Sequence, residues 1–171
     1  IITLDIEVAC ENGFPNVQEA EEPLLSIAVK NHSNKAIRIW GTGEYENKRD
    51  DVTYIQCENE IDLFKKFLKF WSKIEPDVVT GWNTQFFDIP YICNRITRLL
   101  GEDEIKKLSP WGVVRSEPVK SFGREQQKYN LFGISSLDYL DLYRKFTYTN
   151  RESYTLDYIA SVELGLAKDA N

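Results

Sequence analysis

Two short stretches of this sequence hold side chains whose types and spacing suit chemistry. In LDIEV, residues 4–8, strand alternation puts Leu4, Ile6 and Val8 on one face and Asp5 and Glu7 on the other. The two acids then lie about 7 Å apart along the strand and face one spot. Asp is depleted from strands, so its presence asks for a reason. In TGWNTQFFDIPY, residues 80–91, Asp88 stands behind Phe86 and Phe87 and two residues ahead of Pro90. Such rings shield an acid and also offer faces on which nucleic-acid bases stack. Close acids raise one another's pKa unless a cation lies between them. Mg²⁺ takes oxygen ligands and is usually held by one or two carboxylates plus substrate phosphates. Two such ions, roughly 4 Å apart, activate a water and stabilise the leaving oxygen of an in-line phosphoryl displacement. Plainer readings stand beside this one. Asp5 and Glu7 fit the solvent face of a half-buried strand, and Asp88 fits a helix N-cap with Pro90 in the first turn.

Positioning these acids falls to the surrounding elements. Residues 2–9 alternate as a strand, and LLSIAVKN (24–31) and KAIRIW (35–40) read as a hairpin turning at HSN. VTYIQ (52–56) is a fourth strand. The spacing over 59–74 predicts a helix with Ile61, Phe64, Leu68 and Trp71 on one face, closed off by Pro76. DVVTGW reads as a short buried strand. A second helix is expected from about Asp88 to Leu100, stopping at Gly101. Residues 112–131 read as a long β-hairpin with the turn SFGR and Gly123 at its tip. SSLDYLDLY gives a strand leading into a helical turn, and SYTLDYIASVEL (153–164) an amphipathic helix capped by Ser153. This order predicts an α/β domain, a mixed sheet with helices packed on it.

With these motifs in view, the chain resembles the 3′–5′ proofreading exonuclease domain of family B DNA polymerases, of the tailed-phage type. LDIEV matches the first exonuclease motif and GWNTQFFDIPY, residues 81–91, the second. NRI (94–96), LSP (108–110), LFGIS (131–135), LDYLDLY (137–143) and SYTLDYI (153–159) are similar as well, so the likeness spans nearly the whole chain. The resemblance implies a ribonuclease H-like fold and two-metal hydrolysis of DNA from its 3′ end, beside a polymerase domain in cis. It implies that Asp5, Glu7 and Asp88 are catalytic and bind Mg²⁺ or Mn²⁺. It implies that Phe14, in GFP (13–15), contacts the primer end, and that Asn83 and Phe87 lie beside the single strand. Plainer roles remain open: Phe14 as a loop aromatic packed on the core, and Asn83 in backbone bonding within its loop. The hairpin at 112–131 resembles one that phage polymerases use in moving primer strand between sites.

One part of the family pattern is missing. The third motif, Tyr-x-x-x-Asp, supplies a fourth carboxylate and a water-orienting tyrosine, and no tyrosine here has Asp four residues on. The expectation is a piece of a longer protein that stops short of that motif, with one metal ion rather than two and impaired hydrolysis. The competing reading is a non-catalytic DNA-binding or scaffold module on the same fold. Histidine-type exonuclease chemistry is excluded, since the sole His is His32, in an expected turn. Asp138 and Asp141 are expected to be structural.

Composition bounds these readings. With 171 residues, 42% hydrophobic and 28% charged, the chain has the make-up of one soluble globular domain. A net charge of -6 argues against a general nucleic-acid sponge. Charge is uneven, however: residues 1–25 hold six acids and no Lys or Arg, whereas 95–128 hold eight bases against five acids. An acidic pocket beside a basic rim suits a metal site that receives a phosphate chain, and ordinary solvated charge gives the same counts. Three cysteines with no CxxC spacing support neither a disulfide framework nor zinc, and a cytoplasmic setting without membrane segments is expected.

Overall fold

The computed structural model describes residues 1–165 apart from 12 and 122. Its strands are β1 (Ile2–Val8), β2 (Leu24–Asn31), β3 (Ile37–Gly41), β4 (Val52–Gln56), β5 (Val78–Gly81), β6 (Val114–Ser121), β7 (Arg124–Leu131) and β8 (Ser135–Asp138). The helices are α1 (Glu60–Ile74), α2 (Asp88–Leu100), α3 (Glu102–Ile105), α4 (Tyr139–Phe146) and α5 (Leu156–Leu164), and a 3₁₀ turn runs Lys106–Leu108. Six strands form one mixed sheet in the order β4-β3-β2-β1-β5-β8. β1 lies antiparallel to β2 and parallel to β5, which is parallel to β8. β6 and β7 make a separate antiparallel hairpin. This is a mixed α/β architecture of the ribonuclease H-like kind.

β1 is central because its alternation sorts it cleanly. Ile2, Leu4, Ile6 and Val8 are buried, while Asp5 and Glu7 are exposed on the other face. The buried set meets Phe64, Phe67 and Leu68 of α1 and Ile89, Ile92 and Ile96 of α2 in one core. Within α1 the expected face is rotated. Leu63, Phe64, Phe67, Leu68 and Trp71 are buried, but Ile61 is 40% exposed, because at 3.6 residues per turn it falls at the edge of the face that these five residues define. Asn59 caps α1 by accepting the Asp62 N–H at 3.0 Å.

Two other expectations shift. The cap of α5 is Thr155, not Ser153; Ser153 Oγ accepts the Thr155 N–H at 3.3 Å, one step before the helix. Only Ile159 of α5 is buried, so the expected apolar face is narrow. The β6–β7 hairpin runs as expected with Gly123 at φ 74, and Phe122 of its SFGR turn lies outside the described residues.

β1 and β5 come very close at one point. A Cβ on Gly81 would stand 2.5 Å from the Leu4 carbonyl oxygen and 2.9 Å from Thr84 Cγ2. Glycine is therefore required at the end of β5. Gly81→Ala is expected to destabilise the fold by about 1–3 kcal/mol, the usual cost of overpacking against backbone. Urea unfolding would read it, and an unchanged midpoint would contradict this packing.

Candidate metal and DNA site

One backbone group joins the two acidic stretches. The Ile6 N–H, between Asp5 and Glu7 in sequence, donates to Asp88 Oδ1 at 3.1 Å across 82 residues. Asp88 occupies the first turn of α2, whose cap position is taken by Phe87. Its carboxylate therefore serves the strand rather than closing the helix. Asp88 is only 3% exposed. Burial pushes its carboxyl up to about 8, the Asp5 charge adds to the rise, and backbone N–H bonds, that of Ile6 among them, oppose it. Asp5 is also raised, first by partial desolvation and then by the Glu7 charge. Asp5 lies on the exposed face of β1, so solvent screening reduces what that shift is worth in energy. Beside Glu7 the β1–β2 register slips: Glu7 opposes Ser26 but Val8 opposes Leu24. The extra residue, Leu25, makes β2 the bulged strand opposite the acidic end of β1.

The loop from β5 to α2 is fixed from the other side by Asp138. Its Oδ1 accepts the Asn83 N–H at 3.1 Å and the Leu140 N–H at 2.9 Å, and its Oδ2 the Gln85 N–H at 2.9 Å. Asp138 is thus a structural anchor, capping α4 and holding the neighbouring loop together. Asn83 adopts φ 63, a left-handed conformation that Asn tolerates. Its carbonyl accepts the N–H groups of Phe86 and Phe87 at 3.2 and 2.9 Å. The backbone role weighed for Asn83 is present. Asp141 lies on α4, its carboxyl pushed up by partial burial and then by Asp138.

Aromatic rings flank the buried acid. Phe14 is 84% exposed, so it is not packed into the core, and its ring centroid lies 5.4 Å from that of Phe87. Phe87 stacks in turn on Tyr91 at 5.9 Å. Tyr91, whose hydroxyl donates to the Glu22 carbonyl at 2.6 Å, was not among the candidates from sequence. The i,i+4 spacing from Phe87 was the available signal. Asp138 could likewise have been read as a cap from its place before a helical run.

The site therefore combines an acid pair on a central strand, a buried acid at a helix start bonded to that strand, and a partly exposed aromatic run. Residues 1–159 match the family model described as DNA polymerase family B, exonuclease domain. The chain belongs to that family. It is 34% identical to the DNA-directed DNA polymerase of Escherichia phage RB69, over 98% of this chain and 21% of the relative. It is 40% identical to the DNA-directed DNA polymerase of Enterobacteria phage T4, over 67% of this chain and 13% of the relative. Against the DNA polymerase delta catalytic subunit of Candida albicans the identity is 29%, over 99% of this chain and 17% of the relative. The chain thus spans about a fifth or less of the length of these relatives. Family B exonuclease domains are hydrolytic nuclease domains that in general depend on divalent metal ions. Among the described residues no helix is long and apolar enough to cross a membrane.

The donor chemistry of the site fits a hard divalent cation: carboxylate oxygens only, in one another's field. Among the described residues no three His, Cys, Asp or Glu groups form a ready-made metal cage. Mg²⁺ does not require one, since phosphates and waters complete its shell. The electrostatic cost of Asp88 has a measurable sign. Its folded pKa of about 8 stands above the ordinary 3.8, so the folded chain holds a proton that the unfolded chain has lost. The resulting stability is fully present below about pH 4 and is lost as pH rises towards 8, at up to about 1.4 kcal/mol per unit. In a chelator, Asp88→Asn is expected to show a shallower decline from pH 5 to pH 8 than the parent chain. Urea unfolding across that range tests this, and equal slopes would contradict it.

Proposed function

We propose that this chain is a 3′–5′ DNA exonuclease domain acting on single-stranded 3′ ends by metal-assisted phosphodiester hydrolysis. The observation that carries the reading is the Ile6–Asp88 hydrogen bond, which unites the first and second exonuclease motifs within a family of exonuclease domains. Asp5, Glu7 and Asp88 would hold Mg²⁺ or Mn²⁺. When bound, such an ion supplies Lewis-acid stabilisation of phosphate charge and an acidified water. The protein's own share is positioning. Phe14 and Phe87 offer faces to an unstacked base, the Asp138-anchored loop holds Asn83 beside the strand's path, and burial of Asp88 keeps bulk water from its carboxylate. Mismatched ends are favoured because they fray, and an aromatic-lined site admits unpaired DNA more readily than duplex.

The sequence carries no Tyr-x-x-x-Asp, so one carboxylate of the family pattern is missing. We therefore infer weak binding of one ion rather than two, and low hydrolysis. A polymerase domain in cis and a cytoplasmic setting belong to the same reading.

The deciding assay is release of labelled mononucleotide from a 3′-labelled single-stranded oligonucleotide in Mn²⁺. Slow release by the parent chain and none by Asp88→Ala is expected. DNA binding with no release by either protein, and Mn²⁺ affinity unchanged by Asp88→Ala, would favour the non-catalytic module. Phe14→Ala should weaken oligonucleotide binding by about 1–3 kcal/mol, the worth of one stacked base. Fluorescence anisotropy would read that loss, and unchanged affinity would remove Phe14 from the DNA path.

A further inference from the structure

The β6–β7 hairpin and the segment carrying Phe14 meet on α2, and one side chain serves both. Asn94 lies half-buried on α2, six residues after Asp88. Its Nδ2 donates to the Val17 carbonyl at 2.8 Å and to Gln127 Oε1 at 3.4 Å. Its Oδ1 accepts the Tyr129 hydroxyl at 2.5 Å. Gln127 Nε2 donates to the same Tyr129 oxygen at 3.3 Å, closing the ring of bonds. Burial pushes the Tyr129 phenol up to about 12, so it remains a protonated donor at neutral pH. Val17 and Tyr129 both pack against the core at this junction.

A cleft of about 320 Å³ opens directly from the junction, lined by Gln18 on one side and by Ser116, Glu117, Pro118, Gln126 and Gln127 of the hairpin on the other. Phe14 stands three residues before Val17, with the buried Pro15 between, and its ring lies on Phe87 beside Asp88. Pro15 fixes one backbone dihedral between Phe14 and Val17, and Asn16 Oδ1 accepts the Gln18 and Glu19 N–H groups at 2.9 and 3.2 Å, which restrains the segment further.

We propose that Asn94, with Tyr129 and Gln127, is a positioning residue that locks the β6–β7 hairpin and the Phe14 segment into one unit. Displacement of the hairpin is then carried to the Phe14 ring. Resting on the exonuclease reading, this makes the junction a determinant of which DNA ends are accepted.

Hydrogen exchange on the whole chain tests the coupling without relying on activity. Tyr129→Phe keeps the ring and removes only the donor. It is expected to speed exchange about fivefold, the worth of one hydrogen bond, in the hairpin and also at residues 16–20, with β1 and β2 unchanged. Combining it with Asn94→Ala should add nothing at residues 16–20 beyond Asn94→Ala alone. Faster exchange in the hairpin only, in neither element, or additively in the double variant would overturn the coupling. A second readout addresses acceptance of ends. The ratio of affinities for unpaired and paired 3′ ends, by anisotropy, should change in Tyr129→Phe, and an identical ratio would overturn that role. A parent chain that binds no DNA would instead defeat the exonuclease reading, while the exchange data still decide the coupling.

Discussion

The hydrogen bond from Ile6 N–H to Asp88 Oδ1 is the point on which the site turns. It requires β1 to bury Ile6 in the core while presenting Asp5 and Glu7 outward, and it requires α2 to begin where its first turn reaches that strand. Both requirements trace to close packing. The absent side chain at Gly81 lets β5 approach the Leu4 carbonyl, and the Asp138 carboxylate gathers three N–H groups so that the intervening loop has one path. A buried carboxylate is costly unless it is bonded or neutralised. Here a backbone donor offsets part of that cost, and the remainder is visible in the raised pKa of Asp88.

That remainder connects stability to chemistry. An apolar residue in place of Asp88 would suit the core better, and the pocket instead keeps an acid facing the field of Asp5. Perturbed groups of this kind concentrate at functional sites because the strain is relieved when the partner arrives. A divalent cation among Asp5, Glu7 and Asp88 would favour the ionised forms, so ion binding and folding stability are linked in the proposed site.

A second polar cluster holds the segment that bears the aromatic wall. Arg95 grips Glu60 with two bonds of 2.7 Å and also donates to the carbonyls of Ala20 and Glu21 at 3.0 and 2.8 Å. Glu60 Oε1 in turn accepts the Leu24 N–H at 2.8 Å. Both side chains are largely buried, so breaking either partner would strand a charge. This clamp fixes one end of the segment between β1 and β2, and Asn94 fixes its middle. Phe14 can therefore stay exposed without being unplaced.

Much of this was legible in the sequence. Alternation in LDIEV separated the acidic from the apolar face, because side-chain direction in a strand follows from local geometry alone. The bounds of α2 followed from Pro90 and Gly101, and the hairpin from its turn residues, again through local backbone preference. The pairing of Asp5 and Glu7 with Asp88 was expected by resemblance. Tertiary structure alone decided the contact that is seen, from the Ile6 N–H between the two strand acids to Asp88 Oδ1, and no spacing announces a bond across 82 residues. It also decided that Ile61 is partly exposed, that Asp138 anchors a neighbouring loop, and that Asn94 bonds both the hairpin and the Val17 carbonyl. The physical reason is common to these cases. Periodicity and caps are set by neighbours along the chain. The partner of a buried polar group is set by whichever distant element packs within about 3 Å of it.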